Sequence, residues 1–211
     1  VSGQSINAYL APHNIKDGKD RRQLQGYYTE AGDAQFGYTV PNLLIEYAMR
    51  NTHVPVGPWR GVNTNQNGVY LECFMDEVAR AAGKDPLEFR RAILKNHPKH
   101  LGVLEAAAEK AGWGKPLPKG RGLGLAFHFS HAGHFAEVAE VSVDANRKLT
   151  VHRMVVAGDI GPTINMSGAE NQTEGAVVDG FSAAMGQQID FENGRIVQSN
   201  FDTYPLLRIA H

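Results

Sequence analysis

The stretch from Val54 to Arg91, VPVGPWRGVNTNQNGVYLECFMDEVARAAGKDPLEFRR, decides how the rest of the chain reads. Pro55, Gly57 and Pro58 punctuate an apolar segment that cannot continue a helix. Arg60 then enters a loop of Gly61, Asn63, Asn65 and Gln66. From Val69 the pattern turns helical: Val69, Phe74, Met75 and Val78 recur near i, i+4 spacing, with Glu72, Asp76, Glu77 and Arg80 between them. A loop carrying amides and a guanidinium thus stands directly before a helix N-terminus, a natural place to hold a polyanionic or amide-rich ligand.

Working outward, Gly83 supplies a C-cap, and Asp85, Pro86 and Glu88 open a second helix that runs to about Lys95. Leu87, Ala92, Ile93 and Leu94 are its apolar stripe. A third helix is predicted over Leu101–Lys110, closing at Gly112. Upstream, residues 1–38 read as loop and extended chain, with a solvated basic run from Lys16 to Arg22, and Pro41–Tyr47 reads as a strand. Downstream, Pro116–Gly120 is a linker by composition, and the period then switches to two. Gly122–Phe129, Phe135–Val143 and Leu149–Val156 read as antiparallel strands with one wet face. A helix from about Ala169 to Met185 follows, then a hairpin around Asn193-Gly194. The fold class is α+β: a helical layer at about 69–112, then antiparallel strands plus one long helix at about 121–200. Residues 1–115 and 116–211 are expected as two parts of one larger domain.

Bulk properties narrow the function class. The formal net charge of −1 suggests neither nucleic acid nor an anionic membrane as partner. Cys73 is the single cysteine, which excludes an internal disulfide and a cysteine-ligated zinc or iron–sulfur centre within these 211 residues. No run has the length of a membrane span, and VSGQSINAYL lacks a signal peptide's basic start and apolar core. A start at Val1 suggests a cut chain and leaves the compartment open.

PWRGVNTNQNGVYLECFMDE resembles the loop-and-helix segment of the molybdenum hydroxylases, the xanthine dehydrogenase and aldehyde oxidase superfamily. With Trp59 before Arg60 and AAGKDPLEFRR after the helix, it is most similar to the large, beta-type chain of isoquinoline 1-oxidoreductase and its aldehyde-oxidising relatives. The resemblance runs over nearly the whole chain and implies a C-terminal-half fragment of a molybdopterin-binding large subunit. It implies hydroxylation of an N-heteroaromatic or aldehyde carbon with water as oxygen source. It also implies a molybdenum–molybdopterin cofactor in its cytosine dinucleotide form and iron–sulfur clusters on a partner subunit. The general-base glutamate is expected beyond residue 211, so no catalytic residue falls within the chain.

By residue type alone, Arg60 could equally bridge two loops. The resemblance implies that Arg60, Gly61 and Gln66 contact the cofactor. It also makes Val62 a substrate-pocket residue, where purine-oxidising members carry a stacking Phe, and Asn65 stands in place of the family's usual Pro. In DIGPTINMSGAENQTEG (Asp159–Gly175) the resemblance implies that Gln172 contacts the pterin and Gly175 allows close approach, with Met166 where a Pro is usual. A capped helix start with a packing glycine explains the same residues equally well. His128, His131 and His134 invite a metal reading, but residues three apart on a strand face opposite sides and no carboxylate stands near to orient them. By resemblance His131 falls in the substrate pocket. Ser130 lacks a nucleophile elbow, Cys73 reads as a buried helix position, and of Glu72 and Glu77 one holds a loop while the other faces water. The rival to the enzyme reading is a non-catalytic binding module that reuses the fold.

Overall fold

The computed structural model describes residues 37–44, 59–61 and 63–207. Their elements are α1 (Thr64–Ala81), α2 (Pro86–Leu94), α3 (Pro98–Ala111), β1 (Arg121–Ser130), β2 (Gly133–Val143), β3 (Leu149–Asp159), α4 (Met166–Met185), β4 (Phe191–Glu192) and β5 (Arg195–Ile196). Helices followed by an antiparallel sheet make the chain α+β, as its sequence predicts. It divides between Ile160 and Gly161 into two compact units.

In the first unit, α1 and α3 both end in left-handed glycines. Gly83 (φ +64) and Gly112 (φ +78) each let the next residue's N–H reach back, Lys84 to Ala79 O and Trp113 to Ala108 O, both at 2.9 Å. Asp85 caps α2, its carboxylate accepting from Leu87 N at 2.9 Å and Glu88 N at 3.1 Å, with Pro86 in the first turn. The linker Pro116–Gly120 passes to β1 inside this same unit.

Strands β1, β2 and β3 form one meander in that order. The register sets Leu125 beside Val138 beside Val155, and Phe127 beside Ala136 beside Ala157. Period-two alternation places these on one face, where they join Val103, Leu104, Ala107, Ala108 and Ala111 of α3 in the core. Leu94 and Leu104 are 0% exposed, each gaining about 2 kcal/mol from burial. The opposite face departs from expectation. Ala126, His128, Phe135, Glu137, Met154 and Val156 are half-buried there, so the sheet is not wet on that side.

Three further expectations are corrected. α1 begins at Thr64, five residues before Val69, because the Asn-rich segment is held by tertiary packing that its propensity does not reveal. No strand forms at residues 41–44, where the chain bends; nearby, Thr39 N donates to Ile93 O at 2.7 Å. Residues 45–47, like the basic run Lys16–Arg22 and residues 1–36, lie outside the described residues. The apolar stripe of α1 is also misassigned. Val69 and Phe74 are exposed and so is Cys73, whereas Leu71, Glu72, Met75 and Ala79 face inward.

In the second unit, Asn165 caps α4 by accepting from Gly168 N at 2.9 Å. The segment 204–207 folds back on the far end of α4, with Leu207 N donating to Ser182 Oγ at 3.1 Å and Pro205 against Gly186. The hairpin β4–β5 turns at Asn193 (φ 51) and Gly194 (φ 77) as the Asn-Gly pair predicts, with strands of two residues each. It is clasped by Asp190 and Gln198, whose side chains bond at 2.9 Å. Among the described residues no helix is long and apolar enough to cross a membrane.

Candidate cofactor-binding site

Arg60 stands exposed in the turn that opens α1. Gly61 follows at φ +84, where a Cβ would fall 2.1 Å from Asn65 Oδ1, so the turn closes tightly only on glycine. Side chains tie the turn to the helix. Asn65 Nδ2 donates to Arg60 O at 2.5 Å, Thr64 Oγ1 to Gly61 O, and Gln66 Nε2 to Asn63 Oδ1 at 3.1 Å. Gln66 therefore lies in the first turn of the helix and not in a loop. Asn63 occupies the N-cap position but its side chain does not cap, and the first turn holds no acid. The positive end of α1 is thus left without a carboxylate from its own first turn, with a guanidinium beside it.

Gln172 and Gly175 belong to the second unit, both exposed on α4. Three residues apart, they share one helix face. The space where a Gly175 Cβ would stand is open, with no atom within 4 Å. Met166 begins this helix and is exposed.

The three histidines of HFSHAGH separate. His128 points to the half-buried face of the sheet. His134, opposite Phe129, belongs to the core face, where its ring centroid lies 4.9 Å from that of His100. His131 and Ala132 form the hairpin turn between them, both with positive φ (52 and 64), a conformation that costs non-glycine residues energy. His131 is exposed and its Nδ1 lies 2.5 Å from Ser130 Oγ. Among the described residues no group of His, Cys, Asp and Glu could hold a metal ion. Val62 lies outside the described residues.

Farther along α1, at Glu72, lies a buried polar knot whose partners the sequence does not reveal. Glu72, 6% exposed, accepts from Tyr38 OH at 2.5 Å, from Arg90 Nε at 3.1 Å and from the edge-strand amide Phe127 N at 2.9 Å. Arg90, 0% exposed, also donates to Asp76 at 2.6 Å and to Glu72 O at 3.1 Å. Burial raises the Glu72 carboxyl, against the opposing pull of Arg90. Burial and Glu72 together raise the Tyr38 phenol well above its usual value, so it remains a donor. The expectation that Glu72 is a structural acid holds, though it anchors a strand and a second helix; Glu77 faces water. His100, also buried, has its Nδ1 3.2 Å from Gly37 O, which makes Nδ1 the protonated nitrogen.

Gly68, one helical turn beyond the Arg60 corner, packs on the His128 ring, three of whose atoms would lie 3.3 Å from an added Cβ. His128 Nε2 is shut off from solvent and has no hydrogen-bond partner among the described residues. Burial lowers this imidazole to about 4, so it is neutral at physiological pH. A guanidinium beside a helix whose own first turn holds no acid, and a ring nitrogen without a partner among the described residues, are the features here that suit a ligand anionic at one end with a polar ring edge at the other.

A family model described as molybdopterin cofactor-binding domain matches residues 74–211, and another of the same description matches residues 26–94. The chain is 30% identical over 177 residues to the beta chain of isoquinoline 1-oxidoreductase from Brevundimonas diminuta, covering 82% of this chain and 23% of that protein. It is 32% identical over 171 residues to a membrane-bound aldehyde dehydrogenase (pyrroloquinoline-quinone) of Gluconacetobacter polyoxogenes, with 72% and 22% covered. It is 31% identical over 166 residues to a nicotinate dehydrogenase subunit of Pseudomonas putida, with 70% and 14% covered. The chain therefore spans less than a quarter of the length of each of these relatives. No solved structure matches it. With the donor-rich corner ahead of α1 and family matches reaching from residue 26 to residue 211, the chain belongs to the molybdopterin cofactor-binding domain family of the molybdenum hydroxylases.

Proposed function

We propose that this chain forms part of the cofactor-holding wall of a molybdenum hydroxylase catalytic subunit acting on an N-heteroaromatic, isoquinoline-like substrate or an aldehyde, with water as oxygen source. The observation that carries the reading is the turn Arg60–Gly61 ahead of a helix that the Asn63 side chain does not cap and whose first turn holds no acid. When bound, the molybdopterin supplies the redox centre. The Arg60 guanidinium and the first-turn N–H groups of α1 beyond Thr64, whose own N–H goes to Gly61 O at 3.1 Å, would take its phosphate oxygens, a geometry in which charge-assisted bonds are short and strong. The Gln66 side chain steadies that turn through Asn63. Gln172 would offer both donor and acceptor to the pterin edge, and Gly175, on the same helix face, would let the ring approach. Val62 and His131 are proposed for the substrate side.

The cytosine dinucleotide form of the cofactor, the iron–sulfur partner subunit and a general-base glutamate outside residues 1–211 belong to the same proposal. A lone Cys73 leaves any iron–sulfur relay to residues outside these 211. The quinone named for the aldehyde-oxidising relative is said of that protein; both matching family models are molybdopterin-binding, and the reading follows them. This chain by itself is proposed to be inactive. The rival is a binding module without redox chemistry, which the two molybdopterin-binding family matches disfavour.

The test is to purify the holoenzyme subunit carrying this sequence with its partner, and to assay molybdenum, released nucleotide and turnover of isoquinoline-type rings against aldehydes. Stoichiometric molybdenum with a released cytosine nucleotide and turnover of either class is the expected result. A folded complex without molybdenum overturns the reading in favour of the binding module.

A further inference from the structure

His128 is used by nothing described so far. It projects from near the C-terminal end of β1, an edge strand, onto the face of the sheet opposite the α3 core, and Gly68 is the residue that makes room for its ring. A side chain at Gly68 would press on that ring. The same face carries Glu137, whose carboxyl is pushed up by burial, so the surroundings are poor in water. In such surroundings a ring nitrogen without a partner is unfavourable, and native proteins seldom keep one that has no task. Replacing it by an apolar side chain should stabilise the fold, so packing does not explain a histidine here. Gly68, on which the ring packs, stands four residues after Thr64, the first residue of α1.

Resting on the reading of the Arg60 corner as a cofactor site, we propose that His128 is a further contact of the cofactor, its Nε2 forming a hydrogen bond with the polar edge of the pterin ring. The nitrogen suits the task because it is neutral, already desolvated and fixed in orientation by the backbone of a strand on one side and Gly68 on the other. Forming the bond then requires no further stripping of water from the protein group. Either tautomer can serve, since a pterin edge presents donors and acceptors side by side.

The experiment compares the parent holoenzyme with His128→Leu and His128→Gln after gel filtration, measuring molybdenum and released pterin nucleotide per subunit and the thermal midpoint of the cofactor-free protein. The leucine variant is expected to keep or raise the midpoint while its cofactor content falls about 5- to 50-fold. The glutamine variant, with an amide nitrogen near the place of Nε2, is expected to recover most of it. Should the leucine variant not fold, His128→Phe, which fills the volume without a nitrogen, carries the same comparison. Full cofactor content in the leucine or phenylalanine variant overturns the assignment. Full content with a raised KM overturns it too, placing the imidazole on the substrate. If the parent itself holds no molybdopterin, the cofactor reading of the whole corner falls along with it; if the parent is loaded and only the His128 comparison fails, that reading stands.

Discussion

Arg90 and Glu72 form a buried ion pair at 3.0 Å, with guanidinium and carboxylate exposures of 0% and 7%, and it joins α2 to α1 beside the edge of β1. Tyr38 OH and Phe127 N also donate to Glu72, and Arg90 donates on its outer side to Asp76. Removing one partner would strand the other charge away from water. Arg90→Met is therefore expected to cost about 3–5 kcal/mol in chemical denaturation, as broken buried pairs do. A loss under about 1 kcal/mol would mean that the pair is not closed in solution.

Asp85 serves two masters, capping α2 and accepting from Trp113 Nε1 at 3.1 Å. Asp85→Ala should lower stability by about 1–2 kcal/mol and shift Trp113 fluorescence, while Asp85→Asn should keep most of both. An unchanged emission spectrum in the alanine variant would contradict the contact with Trp113.

Glu137 is desolvated on the half-buried sheet face, and burial raises its carboxyl above the usual range. Its contribution to stability is then fully present below the unfolded carboxyl value and lost as pH rises through the folded value. Glu137→Gln should accordingly raise the thermal midpoint at neutral pH, with the gain shrinking toward about pH 4. A gain that is the same at both pH values would exclude desolvation as its cause.

Gly61→Ala places a methyl group on Asn65 and forces a left-handed alanine, costing about 1–2 kcal/mol locally. The turn should open and the holoenzyme should lose bound molybdenum. Asn65→Ala in the same chain should restore part of it by removing the clash. Equal molybdenum in parent and Gly61→Ala would show that the turn's shape does not matter to the ligand.

The parts of the fold set by neighbours in sequence were legible. Asp85-Pro86 followed by Glu88, the glycines after α1 and α3, the alternation through β1 and β2, and Asn193-Gly194 each act within a few residues, and each forms as read. What failed needed distant partners. Residue type marks Glu72 and Glu77 alike as acids, one holding a loop and one facing water; only Arg90, 18 residues on, and Tyr38, 34 residues back, show that Glu72 is the anchored one. The apolar stripe read for α1 put Cys73 and Phe74 inside when both face outward. His100 gave no local sign that it would stack between Phe129 and His97. At the candidate site, Arg60 and Gly61 stood out by residue type and family pattern. The solitude of His128 Nε2 became visible only once strand β1 was laid against Gly68.

The central proposal is that the Arg60 corner ahead of α1 holds the cofactor, and the most direct test is the molybdenum content of the holoenzyme in Arg60→Ala, with Gln172→Ala and the double variant measured beside it. Both side chains sit on exposed positions, so the thermal midpoint without cofactor should hardly move. Molybdenum per subunit after gel filtration is expected to fall about 10-fold or more for the charged contact and less for the amide, with the double variant lowest. Parent-level molybdenum in both single variants would contradict the account.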